Sequence, residues 1–114
     1  MQYLDEQNIN SKTLNAWLSQ ACENVHDTAC PDFESITLPL VVFTDEATVT
    51  GSDYNNAIME THAITVERYT VDGEESQALE ILLRQQFKYT KVKYYDNSNS
   101  YFQEIYELET IYSN

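Results

Sequence analysis

Ala57-Ile-Met-Glu-Thr-His-Ala-Ile-Thr-Val-Glu-Arg-Tyr-Thr70 is the stretch on which the fold turns. Alternation places Ile58, Glu60, His62, Ile64, Val66 and Arg68 on one face, and Met59, Thr61, Ala63, Thr65, Glu67 and Tyr69 on the other. Both faces mix apolar and polar residues, which suits a long strand partly covered on each side. Upstream, Ile36-Thr-Leu-Pro-Leu-Val-Val-Phe43 is a short apolar run rich in β-branched residues and reads as a buried strand, with Pro39 at its margin. Between the two, Thr44 to Asn56 is polar and carries Gly51 within Thr-Gly-Ser-Asp, the composition of a mobile loop.

Downstream, Asp72 and Gly73 end the long strand, with Asp72 a candidate helix cap. Ala78, Leu79, Leu82, Leu83 and Phe87 then repeat at helical spacing, predicting a helix from Glu74 to Gln86 with Glu74 and Glu75 at its positive end. Tyr89–Tyr95 and Tyr101–Tyr112 flank an Asp-Asn-Ser-Asn-Ser turn and read as a hairpin. At the other end of the chain, Ser11 is a good N-cap, and Leu14, Trp17, Leu18, Ala21, Cys22 and Val25 form an amphipathic stripe, predicting a helix over 11–25. The simplest use of that stripe is packing on the domain; a partner-binding groove is the alternative. His26 to Ser35 reads as a connecting loop. The expected fold is α+β: a mostly antiparallel four-stranded sheet with two helices packed on one face, in one domain over 1–114 without internal repeat or linker.

Composition agrees with a folded chain. Nine Tyr, four Phe and one Trp against two Gly and two Pro favour strands and helices over disorder. Charge narrows function: 19 Asp and Glu oppose 6 Lys and Arg, a formal net charge of -13 with the carboxylates dispersed. That sign repels nucleic-acid phosphates and anionic membranes. It fits a solubilising surface, a negative wall past which DNA slides, or a DNA mimic that fills a basic groove. Cys22 and Cys30 are eight positions apart, which is not a C-x-x-C spacing, and His26 beside them leaves a metal set short of ligands. A buried free thiol and no metal are expected. The N-terminal segment lacks the pattern of a signal peptide, and no apolar run approaches a membrane span. The protein is expected to remain in the reducing cytoplasm where it is made, unless carried out as part of an assembly.

No catalytic constellation emerges. The chain has no G-x-S-x-G, no H-E-x-x-H and no dinucleotide fingerprint, and two glycines leave little for a phosphate cradle. His62 with Glu60 or Glu67 could be drawn as an acid/base pair, but no nucleophile accompanies them. Glu74/Glu75 and Glu107/Glu109 read as solvated faces. The expectation is a protein that is not an enzyme and needs no cofactor. What the sequence offers instead is tyrosine: Tyr89, Tyr94, Tyr95, Tyr101, Tyr106 and Tyr112 lie on or beside two neighbouring strands. Such residues build interfaces, or pair across strands within the domain.

Leu38-Pro39-Leu-Val-Val-Phe43, His62-Ala-Ile-Thr-Val-Glu-Arg-Tyr-Thr70, Glu80-Ile-Leu-Leu-Arg-Gln-Gln-Phe87 and Tyr101 to Glu107 together carry a resemblance. Over Ile36 to Tyr112 the chain resembles the small tail-terminator or tail-completion proteins of long-tailed bacteriophages of Gram-positive hosts. Cys22 to Asp32 has no counterpart in that pattern. The resemblance implies a ring, commonly a hexamer, that caps the head-proximal end of the tail tube, stops its polymerisation and docks the head. Its implied partners are further copies of the chain, the major tail tube protein and the head-tail connector, with DNA passing through the lumen and no membrane; its implied location is the virion, at the head-tail junction. The residues expected at the contacts are Tyr54, Tyr89, Tyr94, Tyr95, Tyr101, Asp45, Glu46 and Asp53, with Thr44 to Asn56 ordering on assembly. A head-closure connector and a small acidic DNA-mimic inhibitor of a host nucleic-acid-binding protein are the alternatives.

Overall fold

The computed structural model describes residues 1–27, 37–52 and 57–113. In chain order the elements are α1 (Ser11–Leu18), β1 (Val25–Asp27), β2 (Leu40–Ser52), β3 (Ala57–Thr70), α2 (Gln77–Arg84), β4 (Tyr89–Asp96), β5 (Tyr101–Leu108) and β6 (Ile111–Ser113). The strands form one sheet in the order β1-β2-β3-β5-β4, with β6 also on β3. The expected four-stranded antiparallel sheet is therefore corrected to a six-stranded mixed one. Its parallel pair is β1 beside the start of β2, matched from Val25 against Val41 to Asp27 against Phe43.

Three local causes produce the difference. First, α1 stops at Leu18, well short of Val25. Asn10, and not Ser11, caps its start through a reciprocal box with Thr13, and after Ser19 the chain turns back on the Leu18 carbonyl. Asn15 Nδ2 donates to the Val25 carbonyl and Val41 N–H donates to the Asn24 carbonyl, so Val25 is drawn into the sheet as β1. Second, Thr44 to Ser52 is strand and not loop: β2 pairs with β3 without a break from Leu40 against Tyr69 to Ser52 against Ala57. Thr44, Thr48, Val49 and Thr50 are β-branched, and their polarity reports exposure, not backbone conformation. Third, the last expected strand divides. β5 lies on the lower half of β3, Thr65 to Thr70, and β6 on Glu60 to His62. The second helix is also shorter than expected. Ser76 caps it through its hydroxyl, leaving Glu74 and Glu75 before its first turn, while Asp72 accepts from Glu74 N–H in the preceding turn.

Both helices lie on one face of the sheet. Leu14, Trp17 and Leu18 of α1 and Leu79, Leu82 and Leu83 of α2 share a core with Val41, Phe43, Ile64, Val66, Tyr106, Leu108 and Ile111. Trp17 meets Phe87 edge-on at 5.7 Å between ring centres. Leu4 joins the same core, and its backbone is held by Gln86, whose side-chain amide both donates to the Leu4 carbonyl and accepts from its N–H. Behind the sheet, Leu40, Val42 and Tyr69 form a smaller buried group, with Tyr101 packed on Tyr69. At the turn after β3, Gly73 adopts φ +73° with Phe102 against its Cα, so a Cβ there would meet the ring at 2.9 Å.

Beyond Phe43 and Ile64 the hydrophobic core ends, yet β2 and β3 continue. They run on as an arm, three-stranded where β6 lies on Glu60 to His62 and two-stranded at the tip among the described residues, and the molecule is elongated, 54 × 27 × 22 Å.

Candidate assembly surface and the charged groups beneath it

The arm is anchored by a buried histidine. His62 lies on the helix side of β3 and is almost fully enclosed; its Nδ1 is 2.9 Å from both Asp45 carboxylate oxygens and its Nε2 is 3.2 Å from Glu60 Oε1. Glu60 is two residues away on the same strand face. Asp45 reaches His62 because the β2–β3 register sets Asp45 opposite Ile64, diagonally beside His62. An imidazole flanked by carboxylates at both nitrogens is a cross-brace between two strands. This places the Glu60–His62 pair in a structural setting. The Asp45 partner was hidden in the sequence because its segment reads as loop.

A second polar cluster ties α2 to the sheet. Lys91 Nζ of β4 lies 2.7 Å from Glu75, 2.8 Å from Glu80 and 3.1 Å from Glu104. Arg68 Nη1 donates to Glu104 Oε1 at 2.6 Å and to the Glu74 carbonyl at 2.7 Å, and the Tyr106 hydroxyl donates to Glu80. Glu104 is fully buried, and its second oxygen faces the Lys91 ammonium as an ion pair without an aligned hydrogen bond. Burial opposes the charge on Lys91, but the three carboxylates outweigh it and hold the ammonium protonated well above the usual lysine range. The Tyr106 hydroxyl is pushed up by burial and by Glu104 and Glu80, while Lys91 holds Glu75 below the usual carboxylate range. Glu75, Glu80 and Glu104 offer oxygens within 4.8 Å of one another, a spacing open to a metal ion; here the Lys91 ammonium occupies the position between them.

The residues expected at contacts separate into groups. Tyr94, 55 % exposed, lies on the sheet face opposite the two helices, with Val92 beside it. Tyr95, 48 % exposed, is tilted against Phe102 at 4.7 Å on the opposite side. Tyr101 is half-buried edge-on to Tyr69, and Tyr89 is half-buried against the fully buried Tyr106. Those two pairs belong to packing within the domain. Glu46 is exposed on the arm, whereas Asp45 braces His62. Asp53 and Tyr54 lie outside the described residues, as do Cys30 and most of the segment from His26 to Ser35. Cys22 is a free, half-buried thiol in the turn after α1, not on the helix, and burial pushes it up to about 11.

The sequence-visible tyrosines lie on the strands and divide between core and surface: Tyr94, Tyr95 and Tyr112 are exposed, Tyr89 and Tyr101 are half-buried and Tyr106 is buried. Sequence reading missed the arm's outer edge. After Phe43, β2 has no partner on its outer side among the described residues, and β4 has none beyond β5. The signal for the first was present in the β-branched residues at Thr44, Thr48, Val49 and Thr50. Among the described residues, no helix is long and apolar enough to cross a membrane. Searches of family models and of curated proteins return no match to this chain, so a functional reading of these surfaces rests on their geometry and chemistry.

Proposed function

We propose that this chain is a structural subunit of a bacteriophage tail, acting by assembly and not by catalysis. In this reading it forms a ring at the head-proximal end of the tail tube, stops tube polymerisation and offers the surface on which the head docks. Its partners are further copies of itself, the tail tube protein and the head-tail connector.

The observation that carries the reading is the arm. A two-stranded ribbon is marginal in water without a core or a third strand; β2 continues for nine residues beyond Phe43, its last position in the helix-side core, and past β6 the tip of the arm, Thr50 to Ser52 against Ala57 to Met59, has no third strand among the described residues. Such an element is stabilised by a neighbour. Cyclic assemblies use unlike patches on identical subunits, and an arm on one side with an open edge on the other supplies two such patches. The net charge of -13 supports the same reading, because a lumen of that sign does not retard DNA in transit.

The test is electron microscopy of tails assembled with and without this protein. Overlong tubes, or tubes that fail to join heads, are expected in its absence. Tails of normal length that join heads normally would overturn the reading and bring forward an acidic inhibitor of a nucleic-acid-binding protein.

A further inference from the structure

The geometry points to a specific contact between copies: the outer edge of β2, from Thr44 to Ser52, pairs antiparallel with β4 of a second copy, Thr48 opposite Val92. This rests on the assembly reading above and goes beyond it in naming the strands, the direction and the register.

Soluble sheets guard exposed edges with lysine, proline, bulges or short strands. The outer part of β2 has none of these; its charges are Asp45, held by His62, and Glu46. It contains no Lys, Arg or Pro, and its pairing with β3 runs through every residue without a bulge. Beyond Phe43 its outer side is uncovered among the described residues, a free length of nine residues against the eight of β4.

Direction follows from topology. Across β2, β3, β5 and β4 every neighbouring pair is antiparallel, so the two outer strands of this block of four run in opposite directions. A second copy placed head-to-tail brings β4 against β2 antiparallel and prolongs the alternation without interruption. Both strands then keep their faces: Thr48 and Val92 lie on the uncovered side, Ala47 and Lys93 on the helix side.

Charge selects the partner edge and the register. Lys88, Lys91 and Lys93 make β4 and its approach the one stretch of the sequence where cations cluster. Pairing β4 with its own copy about Val92 would set Lys91 against Lys93, like charges directly opposed. Against β2, with Thr48 opposite Val92, no like charges are opposed: Lys91 faces Val49, Lys93 faces Ala47 and Asp96 faces Thr44. Sliding two residues one way sets Glu46 against Asp96; sliding two the other way drives Asp96 towards Val42, where β1 already lies.

The stagger is also that of a closed ring. Within one copy, Val92 is level with Val42 through Ile105 and Glu67. Pairing it with Thr48 of the next copy shifts each subunit by six residues, roughly 20 Å along the strands for roughly 19 Å of width across four strands. The resulting tilt is about 45°, at the upper end of the range in closed barrels.

Thiol cross-linking in the full chain tests this, with Cys22→Ala and Cys30→Ser in the background. A mixture of the Thr48→Cys and Val92→Cys proteins should give a linked heterodimer on mild oxidation or with a short bismaleimide, neither protein linking alone. One chain carrying both changes should give a ladder. Oligomers in sedimentation without the heterodimer would overturn the strand pairing and leave the assembly reading standing. A dimer from Thr48→Cys alone would replace it with a two-fold β2–β2 contact. Monomer throughout, without links, would overturn both the pairing and self-assembly. A ladder together with normal tails in the protein's absence would leave the pairing standing and remove the tail role.

Discussion

The lower and upper halves of the β2–β3 pair are made by the same two strands in one unbroken register, yet they are held by different forces. Leu40 to Phe43 and Ile64 to Thr70 lie between packed layers, with Val41, Phe43, Ile64 and Val66 against the helices. Thr44 to Ser52 has hydrogen bonds, threonines and the Asp45–His62–Glu60 brace but places no residue in the hydrophobic core, which reaches this half through Ile64, opposite Asp45, and through Ile111 of β6, opposite His62. Backbone pairing sets the conformation in both halves; apolar burial is concentrated in one.

Truncating a core residue in the body and an exposed one in the arm should separate the halves most sharply. Phe43→Ala is expected to cost about 4 kcal/mol of unfolding free energy, from lost transfer and the cavity left behind. Val49→Ala, at a position 65 % exposed, should change it by less than about 0.5 kcal/mol. Denaturant titration measures both. A Val49→Ala loss near that of Phe43→Ala in dilute monomer would mean that the arm has its own core and would erase the contrast.

A second measurement asks whether the charged cluster belongs to the body. Lys91→Met removes the cation that neutralises Glu75, Glu80 and the buried Glu104, and is expected to cost about 3 kcal/mol. Native-state hydrogen exchange should show the loss in β4, β5 and α2 and not in the outer part of β2. Equal loss of protection in the arm would show the two halves to be coupled through β3.

The smallest effect concerns Cys22, beside the body's core. Its thiol titrates at about 11 in the fold against an ordinary 9.0. A raised folded value means that the folded state holds the proton more tightly, so this contribution is complete below pH 9 and is lost as pH rises towards 11. Over that window wild type should lose more stability than Cys22→Ala, whose other titrating groups are the same. Equal losses would place the thiol in open solvent.

Much of the body is legible in the residues. The period-two pattern of 57–70, the helical spacing from Leu79 to Phe87 and the turn between Tyr95 and Tyr101 all correspond to elements of the structure. The early helix is legible only in part: its stripe continues to Val25, but the turn after Leu18 and the side chain of Asn15 recruit Val25 to the sheet. The arm reads as loop in the sequence because loops and exposed strands share polar residues, and only the partner strand distinguishes them.

The candidate site divides in the same way. Composition alone announces a strongly acidic chain rich in tyrosine, and the spacing of Glu60 and His62 alone puts them on one strand face. Which tyrosines face solvent, which carboxylate meets His62, and that Lys91 is enclosed by Glu75, Glu80 and Glu104 were decided by register and by the docking of α2. Amphipathic period is a property of neighbouring residues and survives in a one-dimensional string. Strand order, free edges and the neutralisation of buried charge depend on contacts between distant residues, which only the folded chain brings together.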